Sequence, residues 1–586
     1  MSRNRGIWTL MLLAAAFRLP YLLLRGAPAA DEVRYYAESL ALFNIERHQD
    51  YLQLVDFDKV FFIIVTAPFS VLIHFMGGSP ALAVSLFPFI AGILFIPLIF
   101  RLTEKLAGGG PAFWAGLVWA GLPSTVYYSA YSVPHTFYAY FFVLGCLLYL
   151  NYLQTGSRNY LIAATGVLFS LSKIRIEGLI VFLIFITVLV FKDRSDGALP
   201  RKICLDAALV CGVVAALWMI YHGISLLIFG TARGSGYSLL IRKSLGYLTL
   251  KIDSLFAVRT PGGFMQGSKL IYMLENPRLV ALALTAILYD LLKTIFILPS
   301  RLIPPLFLPF LGLAFSGWKE TSREAKSTVI FMTASLASIL VYPLFWFSTS
   351  RFAYLIVPVG VFFIARGISS AESLIDTARG TAGGIFSSRR LLSSLTIIYL
   401  VFLNLPLVAI GLTASGQATK PDYEPVRKWL GMNLKDKKVA IMCWGDLAFA
   451  LNTDFIQFPI NVDRVIGKWQ PVPVKLDDVV GLLDQRQNAL VVVSRSELSY
   501  QGSAKDRNDY LKQSANLNLQ FYGDEGLDDM GERNELGSSF FLRDFLPLIQ
   551  GQQTFPGLNL VGTAKASGSE EIYYIFASDG LAAELK

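Results

Sequence analysis

The chain has 586 residues, of which 54% are hydrophobic and only 16% are charged. A soluble domain usually carries about 25% charged residues, so this composition excludes an ordinary soluble protein and is typical of one that crosses a membrane many times. The formal net charge of +9 does not indicate a nucleic-acid partner, because the Lys and Arg residues lie in short segments between apolar stretches rather than on one face.

Apolar stretches of spanning or near-spanning length recur along the first 413 residues. In chain order they cover 7–25, 60–76, 81–100, 111–128, 136–153, 160–172, 177–191, 203–229, 279–299, 301–317, 327–347, 352–365 and 391–413. The first stretch could also be a cleaved signal peptide, because Ala27-Pro28-Ala29-Ala30 looks like a cleavage site. We favour an uncleaved span, because many further spans follow it.

The basic loops predict the orientation, because Lys and Arg concentrate on the cytoplasmic side of membrane proteins. All of these loops fall on one side only if 60–76 and 279–299 lie on the outer surface as helices and do not cross. The prediction is therefore a polytopic α-helical protein of the cell (inner) membrane with about eleven spans and a cytoplasmic N-terminus. The basic residues that fix this count are Arg3, Arg5, Arg101, Lys105, Arg158, Lys192, Arg194, Arg201, Lys202, Lys319, Arg323, Lys326, Arg366, Arg379, Arg389 and Arg390.

Two domains follow from this topology and from a change in composition near residue 413. A transmembrane module over 1–413 includes a first outer loop (26–80) and a long outer loop (230–300), where we expect the acceptor pocket. The tail (414–586) is predicted to be a soluble α/β domain on the extracytoplasmic side. In it, helix-like runs alternate with apolar strand-like runs, the former at 423–434 and 476–486 and the latter at 438–444, 489–494 and 571–577.

The cysteines and histidines indicate no disulfide framework and no structural metal site. They are few and scattered, without CxxC or HxxxH spacing. The sequence indicates no cofactor. Binding of a divalent metal ion stays an open alternative, but no residue indicates such a site.

Charged residues gather instead at the predicted outer ends of the helices. Carboxylates and cations close to the lipid level suit a substrate that has a phosphate at the interface and a hydroxyl or amine to be activated. A capped surface helix, with Asp31 as the N-cap, and ordinary snorkelling of Lys and Arg are the simpler explanations. The groups are Asp31-Glu32-Val33-Arg34-Tyr35, Asp58-Lys59, Lys173-Ile174-Arg175-Ile176-Glu177 and Arg351-Phe352-Ala353-Tyr354.

These motifs resemble the C-type (GT-C fold) glycosyltransferase superfamily, and within it the branch of protein O-mannosyltransferases and the lipid A aminoarabinose transferase. Asp31-Glu32-x-Arg34-Tyr35 directly after the first span is the most specific match. The elements Lys173-x-Arg-x-Glu-Gly and Arg351-Phe-Ala-Tyr-Leu-x-x-Pro are similar to later motifs of the branch.

The sequence also departs from the pattern of this branch at two places. The acidic-Lys pair of the relatives is usually followed by Pro-Pro, whereas Val60-Phe61 follow Asp58-Lys59 here. The relatives usually carry a second acid in the short loop after Leu122-Pro123, where this chain has His135. Any role that requires a second carboxylate, including metal coordination, is therefore not implied.

The resemblance implies an inverting transfer of sugar from a polyprenyl-phosphate donor to a glycolipid, polysaccharide or protein acceptor on the extracytoplasmic face. Asp31 is the expected general base, and Glu32 is expected to orient Asp31 or to contact the acceptor substrate. The expected donor-phosphate ligands are Arg34, Lys59, Lys173, Arg175 and Arg351. Further candidates for the site are Tyr35, Asp58, His135, Glu177 and Tyr354.

Two other functions compete with this interpretation. A transporter or flippase of a lipid-linked saccharide would need charges or broken helices near the bilayer midplane, and usually two repeated halves. Arg175 and Glu177 are the residues that could support it. A scaffold whose tail binds a partner is the other alternative, because the tail has no recognisable motif.

Overall fold

The computed structural model describes most of the membrane module and parts of the tail. Its contacts divide the chain into two compact units, Met1–Leu24 with Val55–Phe69 and Val84–Ala409, and Arg25–Leu54 with Ser70–Ala83 and Ile410–Lys586. The described residues are 3–24, 35–36, 39–40, 42–43, 60–76, 80–130, 134–175, 177–195, 200–229, 284–285, 287–289, 291–314, 321–341, 343, 352–379, 388–414, 424–434, 439–443, 454–456, 476–484, 488–494, 545–565 and 572–585.

Helices fill the described part of the membrane module, and they follow the apolar stretches of the sequence. A π-helical turn (Lys293–Ile297) and two 3-10 turns (Pro305–Phe307 and Ser335–Leu340) interrupt this pattern. The α-helices are α1 (Arg3–Leu24), α2 (Val60–Phe75), α3 (Pro80–Ala107), α4 (Gly109–Gly121), α5 (Pro123–Ala130), α6 (His135–Thr155), α7 (Arg158–Leu171), α8 (Glu177–Ser195), α9 (Pro200–Phe229), α10 (Leu298–Leu302), α11 (Leu308–Ala314), α12 (Arg323–Ala334), α13 (Ile356–Arg379) and α14 (Ser388–Ala414).

Among the described residues, six helices are long and apolar enough to cross a membrane, and one bent pair could make a seventh. The fold class is therefore that of a helical membrane protein, while the predicted count of about eleven spans is not confirmed. Helices such as α4, with 13 residues, and α7, with 14, fall short of the roughly 20 residues of a full span. The six are Asn4–Leu23, Ser85–Ala107, His135–Thr155, Cys204–Gly223, Ile356–Thr377 and Ser388–Leu405.

The structure describes the two predicted surface helices to different extents. The first is α2, an apolar helix of 16 residues that is too short for an ordinary span. The second falls only partly on described residues, where Ile287–Leu302 meets Pro305–Ala314 at 91°. A right-angle bend is the geometry that a surface helix followed by a crossing helix would need. Both surface positions stay predictions.

The predicted stretch 111–128 is two helices, because Pro123 cannot continue the backbone hydrogen bonding of α4. The last carbonyls of α4 are satisfied by side chains instead of by a following turn. Arg18, fully buried in α1, donates to the carbonyls of Trp119 (3.2 Å) and Ala120 (2.7 Å). The Asn404 amide of α14 donates to the carbonyl of Gly121 at 2.8 Å. A cation at a helix C-terminus also complements the helix dipole, which accounts for a buried Arg in the first helix.

A buried carboxylate joins three helices at the other end of the bundle. Asp206 of α9 accepts a hydrogen bond from the Tyr152 hydroxyl of α6 at 2.7 Å. It also pairs with the half-exposed Arg158 of α7 at 3.3 Å. These contacts involve loops predicted to be cytoplasmic, so we assign them a structural role.

The described part of the tail contains a five-stranded sheet flanked by helices. Its strand order is β2-β1-β3-β5-β4, with β1 parallel to β2 and β3, and β5 antiparallel to β3 and β4. Apolar clusters cover both faces of the sheet. The elements are α15 (Glu424–Leu434), β1 (Ala440–Met442), β2 (Asp454–Ile456), α16 (Leu476–Asp484), β3 (Ala489–Ser494), α17 (Leu546–Ile549), β4 (Asn559–Lys565), β5 (Ile572–Ala577) and α18 (Asp579–Leu585).

The sequence predicted three of these strands and missed β2 and β4. β2 has only three residues, and β4 has half-buried and exposed residues, a single buried one, and an irregularity between Leu560 and Gly562. Neither therefore shows the alternation by which a strand is recognised. The second compact unit also includes Arg25–Leu54 and Ser70–Ala83, and the predicted domain boundary at 413/414 stays a prediction.

Candidate functional site

The structure describes half of the residues that the sequence analysis assigned to the site. Those described are Tyr35, His135, Lys173, Arg175, Glu177 and Tyr354. The others, which lie outside the described residues, are Asp31, Glu32, Arg34, Asp58, Lys59 and Arg351.

A tight turn between α7 and α8 carries three of the predicted charges. Its backbone closes through bonds from the amide of Arg175 to the carbonyl of Leu171 (3.0 Å) and from the amide of Gly178 to the carbonyl of Arg175 (3.0 Å). A Cβ at Gly178 would lie 2.2 Å from the carbonyl carbon of Leu171 and 2.5 Å from the nitrogen of Ser172. Only glycine fits there, which explains the final residue of the Lys173-x-Arg-x-Glu-Gly motif.

Gly178→Ala is expected to lower the free energy of unfolding by about 1–3 kcal/mol, because the added methyl group meets backbone atoms that cannot move independently. Thermal unfolding of the purified protein measures this loss. Gly212→Ala in α9 is the matched control, because a Cβ at that position meets nothing within 4 Å. A loss no larger than that of the control would show that the turn can open to accept a side chain.

Arg175 is the centre of a buried polar cluster at this end of the bundle. Its Nε donates to Oε1 of Glu177, and its Nη1 donates to Nε2 of His135. The side chains of Arg175 and Glu177 are only 6% and 4% exposed. The guanidinium also lies 5.4 Å from the ring centroid of Phe352, within cation–π range. The structure thus brings together three of the predicted site residues. Arg175 and Glu177 belong to one sequence motif, whereas His135 lies in a distant segment.

Aromatic rings enclose the cluster from two further segments. The Tyr128 ring of α5 lies 5.4 Å from the His135 ring and 4.7 Å from the Tyr354 ring, measured between centroids. Tyr354 belongs to the turn before α13, and its ring lies 6.2 Å from that of His135. All three side chains are buried. Lys173 lies two residues before Arg175, and its side chain is partly exposed.

Arg18 is a fully buried cation that none of the site motifs includes, and it donates to carbonyls at the end of α4. By its sequence the stretch 7–25 is predicted to be an uncleaved apolar span, with a cleaved signal peptide as the alternative. An Arg inside a membrane helix is itself a signal of a functional or structural role. Tyr128 and Phe352 gave no comparable signal, because aromatic residues are common throughout this chain.

The segment predicted to be the first outer loop is anchored just after the predicted catalytic motif. Tyr35 and Tyr36 are buried, and the Tyr36 hydroxyl forms a 2.8 Å hydrogen bond with Nδ1 of His74. Burial raises the pKa of Tyr36 to about 12, so its hydroxyl stays protonated at neutral pH. A protonated hydroxyl both donates and accepts, so the bond joins Tyr36 to His74 in either tautomer of the ring. Both residues belong to the second compact unit.

The described residues contain no group of three or more His, Cys, Asp or Glu side chains arranged to hold a metal ion. The acidic pair Asp31 and Glu32 lies outside these residues. We therefore assign no metal ligand.

Comparison with known proteins gives structural matches alone. No protein-family model matches the sequence, and no curated protein matches it. The oligosaccharyltransferase AglB of Archaeoglobus fulgidus, solved with an inhibitory peptide and a dolichol phosphate, is 13% identical over 96% of this chain and 80% of its own, with a TM-score of 0.52. ArnT of Cupriavidus metallidurans, bound to undecaprenyl phosphate, is 14% identical over 84% of this chain and 94% of its own, with a TM-score of 0.51. Both are C-type glycosyltransferases, and this chain therefore has the C-type glycosyltransferase fold.

Proposed function

We propose that this protein is a membrane glycosyltransferase that takes a sugar from a polyprenyl-phosphate donor. The observation that carries the proposal is the shared fold, because two structures with that fold hold dolichol phosphate and undecaprenyl phosphate. The sugar passes to a glycolipid, polysaccharide or protein acceptor on the extracytoplasmic face. The reacting groups all come from segments that the charge pattern predicts to be on that side.

In the proposed reaction Asp31 removes the proton from the acceptor hydroxyl while the hydroxyl oxygen attacks the anomeric carbon. The bond from the anomeric carbon to the phosphate oxygen breaks as the new glycosidic bond forms. Attack from the opposite side inverts the configuration, and polyprenyl phosphate leaves. Glu32 orients Asp31 or the acceptor. Both precede Tyr35 and Tyr36, whose burial fixes the segment that follows them.

The negative charge that develops on the leaving phosphate needs cations held in place before the reaction. Arg175 fits this requirement, because its contacts with Glu177, His135 and Phe352 fix the plane of the guanidinium. Its burial strengthens any charge-assisted hydrogen bond to a phosphate, since water does not screen it. The remaining cations proposed for the phosphate are Arg34, Lys59, Lys173 and Arg351.

Transport of a lipid-linked saccharide is the second candidate function, because Arg175 and Glu177 form a buried ion pair beside membrane helices. The pair lies in the turn between α7 and α8, at an end of both helices. A transport pathway needs polar groups near the midplane instead. This position favours chemistry at the membrane surface over transport.

Membranes that contain the protein, supplied with undecaprenyl phosphate carrying a radiolabelled sugar, test the function. The expected result is free undecaprenyl phosphate together with label in a new acceptor product. A flippase would move the labelled lipid between leaflets without releasing its phosphate carrier. Membranes from cells without the protein are the control. Intact donor in both samples, over a panel of sugars, would contradict the proposal.

A further inference from the structure

We infer that Tyr36 and His74 form a positioning pair for the predicted catalytic motif. Their hydrogen bond, which joins the Tyr36 hydroxyl to Nδ1 of His74 at 2.8 Å, holds the segment that carries the proposed base Asp31. The inference rests on the proposed function and deepens it, because it names two residues that act through the base rather than on the substrate.

His74 presents its ring from the last turn of α2. This turn closes through a bond from the amide of Met76 to the carbonyl of Leu72 at 3.1 Å. The ring of His74 packs against that of Phe75, with 5.8 Å between the two centroids. A side chain on a helix is placed more precisely than one on a loop. His74 is therefore a firm attachment point for the segment that contains Tyr36.

Tyr36 belongs to a segment that is buried at each described position from 35 to 40. Tyr35, Tyr36, Ser39 and Leu40 are all at most 3% exposed. A buried hydroxyl requires a hydrogen-bond partner, and His74 supplies one. Because close-packed side chains resist displacement, the chain here cannot shift far without losing both its packing and this bond.

The pair lies close to the proposed base along the chain. Asp31 precedes Tyr36 by five residues, and five residues of extended backbone reach at most about 18 Å. The second compact unit, which contains both members of the pair, also includes Arg25–Leu54. An attachment at Tyr36 therefore limits how far the base can move from its working position.

Loss of the bond should slow the reaction although no group that meets the substrate is removed. A general base must lie within about 2.6–3.2 Å of the atom whose proton it takes. A displacement of about 1 Å can cost on the order of 10²-fold in rate. We expect a smaller loss, about tenfold, because the buried residues beside Tyr36 stay in place.

Four variants separate the hydrogen bond from simple packing. Tyr36→Phe removes only the hydroxyl. His74→Phe keeps a ring but removes the nitrogen, whereas His74→Asn keeps, at about the position of Nδ1, an amide that can donate or accept. The double variant Tyr36→Phe/His74→Phe completes a double-mutant cycle. Tyr160→Phe is the matched control, because Tyr160 is exposed on α7 and has no proposed role.

The first measurement is turnover of undecaprenyl phosphate carrying a radiolabelled sugar by the purified full-length protein at saturating donor. Saturation keeps a change in donor affinity through Arg34 out of the comparison. Tyr36→Phe and His74→Phe should each lose about tenfold, and the double variant should lose no more than the poorer of the two. His74→Asn should turn over donor faster than His74→Phe, and Tyr160→Phe should match the parental protein.

Three results of this assay would overturn the inference. They are parental turnover by Tyr36→Phe, additive losses in the double variant, and faster turnover by His74→Phe than by His74→Asn. The last result is the one expected if His74 served only as a packed ring.

The second measurement needs no donor and keeps the two proposals distinguishable. Amide hydrogen exchange over residues 31–36 reports how firmly the segment is held. Exchange should be faster in Tyr36→Phe and His74→Phe than in the parental protein and Tyr160→Phe. Equal exchange in all four proteins would contradict the role of the pair. If exchange differed as expected but the parental protein turned over no donor from a panel of sugars, the proposed function would fail while the hold of the pair on the segment stood.

Discussion

Asp31→Asn is expected to lower sugar transfer by about 10²–10⁴-fold, the usual effect of removing one oriented acid–base group. The amide keeps the size of the side chain but cannot take the proton of the acceptor hydroxyl. The decisive assay is turnover of labelled polyprenyl-phosphate sugar by the purified variant. Binding of undecaprenyl phosphate should stay near the parental value, because the proposed phosphate ligands are unchanged.

Asp50→Asn is the control for this variant, because it changes another acid of the same predicted outer loop that has no proposed role. It should turn over donor at the parental rate. Turnover by Asp31→Asn equal to that of Asp50→Asn would remove Asp31 as the base. The shared fold would then still need a different group to activate the acceptor.

Arg175→Ala is expected to lower the free energy of unfolding by about 3–5 kcal/mol. The substitution leaves the carboxylate of Glu177 in a buried position without the cation beside it, and desolvation of a charge is costly. Denaturant or thermal unfolding in detergent measures this loss. Undecaprenyl phosphate binding should fall as well, because the variant lacks a proposed phosphate ligand.

The double variant Arg175→Ala/Glu177→Ala distinguishes a buried ion pair from two independent contributions. Removal of both charges avoids a buried carboxylate that has lost its contact with Arg175, so the double variant should be more stable than Arg175→Ala alone. It should nevertheless bind undecaprenyl phosphate no better than Arg175→Ala. Additive losses in stability would show that Arg175 and Glu177 act separately, in conflict with their contact.

The positions of the membrane helices could be predicted because apolar length is a local property of the sequence. α6, α9 and α14 lie within a few residues of the predicted stretches. The number of spans is a less local property, because it depends on where proline residues and bends interrupt the apolar helices, and the predicted count of about eleven is not confirmed. At the division of 111–128 at Pro123, the carbonyls at the end of α4 accept from Arg18 and Asn404, more than 100 residues away in each direction, and from the nearby Thr125.

The strands of the tail were harder to predict than the membrane helices, because the sheet depends on pairing between segments that are distant in the sequence. β3 is a continuous apolar run that is buried between two neighbouring strands, and this run predicted it. β2 is short and pairs at the edge of the sheet, and β4 is irregular. Their strand conformation comes from the partners and not from local preference.

In the candidate site, likewise, features within one sequence motif could be predicted, whereas contacts between distant segments could not. The motif Lys173-x-Arg-x-Glu-Gly predicted a charged turn, and the structure describes a turn whose glycine admits no side chain. The motif could not reveal that His135 accepts from Arg175, or that Tyr128 and Tyr354 enclose the histidine. These contacts join four segments of the chain, and no spacing in the sequence encodes them.

A structure of the protein with bound undecaprenyl phosphate would decide whether the proposed chemistry is right. We expect density for the phosphate within hydrogen-bond distance of the Arg175 guanidinium, with the prenyl chain leading into the bilayer. We also expect the Asp31 carboxylate to face the position of the sugar. A phosphate bound away from Arg175, or Asp31 on the opposite side of the membrane, would contradict the proposed chemistry.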